Sequence, residues 1–257
     1  ATQAAIDQLE VSLAIDETYF PSWSLLADCH LTMGDVSQSL EALGRGLRAV
    51  DQGREGFRVF IEVGLENRVK AYAAADALED LVDTILDATN DRLPDGLVPW
   101  AIGRVYTLQG ERREAVPYFE EALPYLERAA QLTPLDGETR TRLAQVYQGL
   151  ERREEALQAL GSGDGDAGSA SFLSTAFELG LEFAEQGQHA QAAEAFERVL
   201  ASNDRIFGAH RNLGVMYYNY LGRQEEGVVH FERAVELDPE NAEAPLLRQV
   251  IDQYRGR

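Results

Sequence analysis

The residues that could carry out nucleophilic, acid–base or metal chemistry are few and scattered along the chain. Of its four histidines, His30 is expected to lie in the core, and His189, His210 and His230 occupy unrelated helical positions. None of them forms a His-Glu-x-x-His pair. The single cysteine, Cys29, excludes an internal disulfide and a zinc site built from cysteines. No Gly-x-Ser-x-Gly turn of a serine hydrolase is present. The sequence therefore predicts a protein that is not an enzyme and that uses no catalytic residue, cofactor or metal ion.

One segment rich in glycine and serine, residues 161–171, has two acidic residues spaced as in a calcium loop. Counted from Asp164, the twelfth position is Thr175, whereas a calcium-binding loop requires a bidentate glutamate there. The glycines also lack the Gly-Lys-Ser/Thr ending of a phosphate-binding loop. The segment, which includes Asp166, is therefore predicted to be a low-complexity loop without a bound ion.

Charge restricts the class of partner. The chain has 257 residues with 44 acidic and 23 basic side chains, a net charge of −21, and Lys70 is its only lysine. Such an acidic surface repels nucleic-acid phosphates and anionic lipid head groups. In addition, no apolar run in the sequence approaches the roughly 18 residues needed to cross a bilayer. Nucleic acid and direct membrane insertion are therefore excluded. The excess of acidic residues with a single lysine fits a salt-adapted or a GC-rich bacterial source. The clustered bases, Arg112, Arg113, Arg152 and Arg153, are expected to pair with neighbouring glutamates at the surface rather than to dock an acidic partner.

A recurring pattern of large and small residues divides most of the chain into units of about 34 residues. A large apolar residue is followed at once by a small one, and an aromatic residue or histidine comes four residues after the large one. In five copies these first couples are Leu26-Ala27, Ile102-Gly103, Leu143-Ala144, Leu179-Gly180 and Leu213-Gly214. Beyond a turn, a small residue and a large one follow four apart: Ser39 and Leu43, Ala115 and Phe119, Ala156 and Leu160, Ala192 and Phe196, Gly227 and Phe231. Because residues four apart share one face of a helix, each unit is predicted to be a pair of closely packed antiparallel helices.

This pattern resembles the tetratricopeptide repeat (TPR), a helix–turn–helix unit. The resemblance implies an all-α fold, a right-handed α-solenoid in which antiparallel helix pairs stack into a TPR superhelix. Three departures are noticeable: extra residues 123–129 with Pro124 in one second helix, one inserted residue near Tyr220, and a degenerate stretch at 54–95. In that stretch a short helix around residues 57–61 and one long helix spanning residues 71–85 are predicted.

The repeat boundaries give the organisation of the single predicted solenoid domain. Residues 1–19 are the second helix of a truncated repeat, 20–53 a repeat, 54–95 a degenerate hairpin, 96–136 a repeat with an extended second helix, 137–171 a repeat plus the glycine-rich loop, 172–206 and 207–240 two further repeats, and 241–257 a C-terminal capping helix. The truncated repeat is expected to leave Ile6, Leu9 and Leu13 uncovered. The capping helix is expected to bury Leu246, Leu247, Val250, Ile251 and Tyr254.

In this family, ligands usually lie in the concave groove lined by the first helices. The groove positions of this chain are then Trp100, Arg104, Thr107, Thr141, Gln145, Gln148, Phe177, Leu181, Arg211, Val215, Tyr218 and Asn219. Arginine and exposed aromatic residues are typical interface anchors, although Trp100 and Phe177 have the alternative of packing against neighbouring helices. Some members clamp a C-terminal carboxylate with lysines, arginines and asparagines. That clamp is missing here, because Thr141, Gln145, Phe177 and Leu181 occupy groove positions of two adjacent repeats.

The resemblance therefore implies a non-catalytic scaffold that binds a protein or peptide segment in its groove. The alternative is a self-assembling or regulatory TPR portion of a larger chain or enzyme complex, with self-association through the N-terminal half repeat. A cytoplasmic location is favoured, with a periplasmic or membrane-tethered one if an upstream segment has been removed.

Overall fold

The structure, a computed structural model, describes residues 2–49, 68–89, 96–134, 136–161 and 169–256. These residues form helices and short connecting turns, with no strand among them, which confirms the all-α prediction. The chain divides into two compact units, Ala1–Tyr125 and Leu126–Arg257. The boundary, between Tyr125 and Leu126, falls inside one long helix.

Within its described residues, unit 1 contains seven consecutive helices, the last of which continues into unit 2. They are α1 (Thr2–Ile15), α2 (Phe20–Thr32), α3 (Val36–Ala49), α4 (residues 68–74), α5 (Leu78–Thr89), α6 (Leu97–Leu108) and the first part of α7 (Arg112–Leu132). In each repeat a first helix (α2, α4 or α6) precedes a second helix (α3, α5 or α7). Helix α7 has 21 residues, compared with 14 in the second helix α3.

Unit 2 continues the same alternation from the end of α7. It contains α8 (Gly137–Gly149), α9 (Arg153–Leu160), α10 (Ala170–Glu185), α11 (His189–Ser202), α12 (Phe207–Val215), a π-helical turn (Met216–Tyr220), α13 (Gln224–Leu237) and α14 (Ala244–Arg255). The first helices are α8, α10 and α12, and the second helices are α9, α11 and α13. Residues 162–168 of the glycine-rich loop, with Asp164 and Asp166, lie outside the described residues, and α10 begins at Ala170.

The first helices of five repeats end in the same left-handed turn. Four residues after the aromatic or histidine position, the backbone has a positive φ: 79° at Gly34, 56° at Asp76, 81° at Gly110, 59° at Glu151 and 75° at Gly187. The amide of the residue that follows donates to the carbonyl oxygen of the aromatic or histidine position over 2.8 to 3.0 Å. The five bonds run from Asp35 to His30, Ala77 to Tyr72, Glu111 to Tyr106, Arg152 to Tyr147 and Gln188 to Phe183. This pairing is the Schellman arrangement, which satisfies carbonyls at the helix end and reverses the chain.

Residues 68–89 of the degenerate stretch form two helices, α4 and α5, so the predicted single helix over residues 71–85 is wrong. Tyr72 takes the aromatic position, and the chain turns at Asp76 before α5 begins at Leu78. The sequence pattern did not predict this turn, because aspartate stands where three of the other repeats have glycine. Aspartate is one of the few side chains that tolerate the left-handed conformation. The short helix predicted around residues 57–61 lies outside the described residues.

The contact between the two helices of a repeat depends on a small residue facing a large one. A Cβ added to Gly103, Gly180 or Gly214 would lie 2.5 to 2.7 Å from the phenylalanine ring of the second helix. The sizes at the two positions are complementary across repeats: glycine occurs with Phe119, Phe196 and Phe231, alanine with Leu43 and Leu160, and Val69 with Ile85. These residues are buried, which confirms the predicted role of the small–large pattern in close helix packing.

The two ends of the chain differ from the predictions. Ile6 and Leu13, expected to be uncovered, are buried in unit 1, where α1 packs against α2, and Leu9 is half-buried. At the other end α14 buries Leu247 and Ile251, but Leu246 is 62% exposed, because it lies one residue off the stripe that faces α13. The hypothesis of self-association therefore loses Ile6 and Leu13 as its contact residues.

Candidate functional site

The candidate site in unit 2 is the surface of its first helices α8, α10 and α12, named here the first-helix face. Its most continuous exposed part runs along α10. Five residues spaced three or four apart, and therefore aligned on one side of the helix, are exposed: Ser171, Ser174, Glu178, Leu181 and Glu185. We call them the α10 stripe. Helix α10 contains three glutamates and no basic residue, so the stripe combines an apolar side chain with negative charge.

Two predicted groove residues of α8, Gln145 and Thr141, are buried. Gln145 is only 4% exposed, and its amide donates to the Ser171 hydroxyl over 3.0 Å and to the Thr175 hydroxyl over 2.9 Å. Thr141 is also buried and donates to the Gly137 carbonyl of its own helix over 2.8 Å. Neither side chain has much surface left for a partner. Gln145 joins α8 to the next first helix, α10, whereas the bond of Thr141 to Gly137 stays within α8.

A second polar link between α8 and α10 involves Glu182. Its carboxylate accepts from the half-buried Gln148 amide over 3.2 Å and from Arg153 over 3.1 Å. Arg152 pairs with Glu155 over 3.0 Å, as the sequence predicted, whereas the partner of Arg153 is on α10 rather than beside it in sequence. These bonds fix α10 against α8 and α9.

The two apolar groove residues of α10 have different environments. Phe177 is half-buried and meets Phe196 edge to face, with ring centroids 5.5 Å apart. Its ring therefore packs against a neighbouring helix, the alternative considered for this residue. Its ring also lies against Gly208 of α12. Leu181 is 39% exposed and lies in the middle of the α10 stripe. Among the apolar residues predicted to line the groove, Leu181 has the side chain most open to a partner.

Helix α12 contributes a positive charge that is already paired. The Arg211 guanidinium bonds the Glu243 carboxylate over 2.8 Å and the Asn212 side-chain oxygen over 2.5 Å. Val215, half-buried, packs against the apolar clusters on both sides of α12. The predicted anchor Arg211 is therefore compensated within the chain before any partner arrives.

The inserted residue near Tyr220 is accommodated by a π-helical turn, in which the amide of Leu221 donates to the Met216 carbonyl over 3.0 Å. The turn brings the backbone of Tyr218 so close to α13 that a Cβ on Gly227 would lie 2.9 Å from the Tyr218 nitrogen. Glycine is therefore needed where three other repeats have alanine. Tyr218 packs against Phe231 and α14, while the neighbouring Asn219 is exposed.

Three predicted groove residues belong to unit 1 and are described there by themselves. Trp100 is 6% exposed, so its side chain packs inside unit 1 and is not the exposed anchor that its position suggested. Thr107 is half-buried and donates to the Gly103 carbonyl over 2.8 Å. Arg104 is half-buried on α6.

Two tyrosines at the aromatic position form matching clusters in unit 2. The Tyr147 hydroxyl donates to Glu127 over 2.6 Å, and the Tyr217 hydroxyl donates to Glu197. Burial, followed by the bond to glutamate, raises the pKa of both phenols to about 12. An arginine stacks on each ring, Arg152 or Arg223, with the guanidinium 4.6 and 3.8 Å from the ring centroid. These clusters anchor first helices to the preceding second helix and are structural.

One pair of residues was missed by the sequence analysis. His210 of α12 and His230 of α13, interpreted as unrelated, contact each other with 2.9 Å between their Nδ1 atoms. The repeat alignment contains the signal, because the equivalent positions of the preceding repeat are Ala176 and Ala195, which are both buried. Burial lowers the pKa of both imidazoles below the ordinary value of histidine.

Within the described ranges, no group of three or more His, Cys, Asp and Glu residues is arranged to hold a metal ion. In the same part of the chain, every helix is too short or too polar to cross a membrane.

Comparison with known families identifies two segments of the chain. Residues 101–138 and residues 177–242 each match a tetratricopeptide-repeat model. Lipopolysaccharide assembly protein B of Escherichia coli K12 is 24% identical over 244 residues, or 89% of this chain. The chain spans 58% of the length of that relative.

Two solved structures are similar to this chain. A chain of the APC/C hetero-tetramer Cut9–Hcn1 superposes with a TM-score of 0.50 at 12% identity, covering 97% of this chain and 46% of that chain. YrrB, described as a TPR protein with an unusual peptide-binding site, gives a TM-score of 0.48 at 19% identity, covering 77% of this chain and 100% of that one.

Proposed function

Because the chain is a tetratricopeptide-repeat protein, we propose that it is a non-catalytic scaffold that binds a segment of another protein along the first-helix face of unit 2. The observation that carries this proposal is the α10 stripe, in which Leu181 is exposed in the middle of a polar helix face. An apolar side chain within a polar rim is the usual centre of a protein interface.

The charge of the α10 stripe selects the kind of partner. Glu178 and Glu185 flank Leu181, each within one turn of it, and α10 has no basic residue. The nearest cation of α12, Arg211, is paired with Glu243. A segment with lysines or arginines on either side of an apolar residue matches this arrangement, and the net charge of −21 accelerates its encounter with the protein.

The stripe is also preformed. Gln145 and Gln148 bond α10 to α8, and the aromatic contact of Phe177 with Phe196 fixes it against α11. Because these contacts are made within the chain, binding does not have to order α10. The entropy cost of association then falls mainly on the partner.

Peptide selection followed by calorimetry tests the proposal. A displayed library of random peptides is selected on the wild-type chain, and the binders are titrated against two variants, Leu181→Glu and Val229→Glu. Val229 is exposed on second helix α13 and serves as a matched control. We expect Leu181→Glu to weaken binding by about tenfold or more, as for a central interface residue, and Val229→Glu to leave it unchanged.

Charge reversal tests the partner chemistry separately. Glu185→Lys places a cation at the C-terminus of α10, where the helix dipole favours it, so folding is not at risk. The selected peptides should be rich in lysine and arginine, and this variant should weaken them more at low salt than at high salt. Acidic or neutral peptides that bind equally well to Glu185→Lys would contradict the proposed charge preference. Binding that is lost in Val229→Glu but kept in Leu181→Glu would place the site elsewhere.

A second candidate follows from the extent of the similarity to lipopolysaccharide assembly protein B. The match extends over 244 residues rather than over one repeat, and this chain spans 58% of that relative. We propose as the alternative that the chain is the TPR part of a larger assembly or regulatory protein. A chimera in which it replaces the matching part of the E. coli protein would test this. Restored function would support the alternative, whereas a folded and expressed chimera without function would contradict it.

A further inference from the structure

The histidine pair between α12 and α13 has a defined hydrogen-bond order. His210 is buried and uses both ring nitrogens: Nε2 lies 2.9 Å from the Asp204 carbonyl oxygen and Nδ1 lies 2.9 Å from Nδ1 of His230. A carbonyl oxygen only accepts, so Nε2 of His210 carries the proton. In the neutral ring Nδ1 is then an acceptor, and Nδ1 of His230 must be the donor.

This order determines what added protons do. The first additional proton can go to Nε2 of His230 without disturbing the bond between the rings. A second proton has only Nδ1 of His210 to bind, and it would place two N–H groups against each other across 2.9 Å. The doubly charged pair therefore cannot keep this geometry, because two cations would repel each other without a shared hydrogen bond.

The surroundings leave the pair without full compensation. Around His210, the Arg233 guanidinium opposes a positive charge, while Asp204 favours it. Around His230, Glu197 and Glu226 favour a positive charge and Arg223 opposes it. In both rings, burial outweighs the favourable carboxylates and lowers the pKa, and His210 adds to the lowering at His230.

We propose that the His210–His230 pair is a proton-sensitive latch, which ties α12 to α13 when neutral and releases them when acidification breaks the bond between the rings. Release loosens the end of the first-helix face that carries Arg211 and Val215, which are on the same helix as His210. The latch itself is independent of the proposed function; only its effect on partner binding rests on that function.

The pH range follows from the direction of the shifts. Because the folded-state pKa of each ring lies below that of the unfolded chain, the latch contributes its full stability above about pH 6.5. That contribution is lost as the pH falls from there towards the lowered folded-state values. Carboxylates titrate near pH 4, so the range from pH 7.5 to 5.5 separates the histidines from acid denaturation.

Hydrogen exchange detected by mass spectrometry tests the latch without a partner. After correction for intrinsic exchange rates, we expect amides of α12 and α13 in the wild-type chain to exchange about fivefold faster at pH 5.5 than at pH 7.5, the change that one net hydrogen bond supports. Amides of α10 and α11 should change less.

A matched pair of variants identifies the group that titrates. In His230→Gln the amide can donate to Nδ1 of His210 or, after rotation, accept from it, so the pH effect on α12 and α13 should disappear. His30→Gln removes a histidine of unit 1 and should leave the effect intact. A wild-type chain without the effect, or a His230→Gln variant that keeps it, would overturn the proposal.

The tautomers give a second, structural test. Long-range ¹H–¹⁵N correlation spectra at pH 7.5 should place the proton on Nε2 of His210 and on Nδ1 of His230. The reverse tautomers, or two rings that titrate at the ordinary pKa of histidine, would contradict the latch. If peptide selection fails while these spectra and the exchange data agree with expectation, the latch stands and the proposed function falls.

Discussion

The size complementarity between helices can be tested by moving one methyl group. In Gly180→Ala, the added Cβ would lie 2.7 Å from Cε1 and 2.8 Å from Cζ of Phe196. The ring is fully buried and contacts Phe177, so it has no open space to enter. The preceding repeat shows the compensated arrangement, with Ala144 and Leu160 at the same two positions. We therefore expect Phe196→Leu to relieve the clash.

The size of the effect follows from two opposing terms. Alanine is favoured over glycine in a helix interior by about 1 kcal/mol. Overpacking a buried site costs about 1 to 3 kcal/mol, and contact with several ring atoms at this distance places Gly180→Ala near the upper end. The net destabilisation should be about 2 kcal/mol. Phe196→Leu alone should cost about 1.5 kcal/mol through lost burial. Because each change compensates the other, the double variant should lose only about 1 kcal/mol, far from the sum.

Equilibrium unfolding in urea, followed by circular dichroism at 222 nm, measures the four chains of this cycle. The reciprocal cycle, Ala144→Gly with Leu160→Phe, is the matched control and should show coupling of the same sign. Free energies for Gly180→Ala and Phe196→Leu that add within about 0.5 kcal/mol would refute the size-complementarity argument. So would a Gly180→Ala variant more stable than the wild type, since helix propensity alone would then decide.

Three further changes test separate features. Gly227→Ala should destabilise the chain by about 3 kcal/mol in urea unfolding, because its Cβ would meet the Tyr218 backbone, which cannot move aside; an unchanged midpoint would contradict this. Glu151→Gly should raise the free energy of unfolding by about 1 kcal/mol by removing left-handed strain, whereas Asp76→Gly should gain less; equal gains would contradict the tolerance assigned to aspartate. The Tyr217 phenol has a pKa of about 12, so its contribution to the free energy of unfolding is complete below about pH 10 and is lost as the pH rises towards 12. The Tyr217→Phe variant should therefore lose less stability than the wild type between about pH 9 and 11.5.

The fold was largely predictable because its information is local. A helix pair needs a large residue, a small residue and a turn at fixed spacing, and these can be read within one repeat. The turn at Asp76 was missed for the same reason, since its usual glycine signal was replaced. The hairpin could still have been found from Tyr72, which lies 34 residues before Tyr106.

The candidate site was less predictable because it depends on contacts between repeats. Family positions indicated which residues lie on the first helices, but not which of them the next first helix covers. Gln145 is buried since α10 supplies two hydroxyl groups to its amide. Arg211 is compensated by Glu243, 32 residues away. Such partners depend on how successive repeats pack, and no spacing rule within one repeat contains them.

Site-directed photocrosslinking tests the central claim about binding most directly. The photoreactive residue p-benzoylphenylalanine is placed at Leu181 of the α10 stripe in one chain and at Val229 of α13 in another, and both are irradiated in cells of the source organism. The account predicts a specific adduct with a partner from position 181, with the crosslinked site in a basic segment, and none from position 229. Adducts from position 229 alone, with none from position 181, would contradict it.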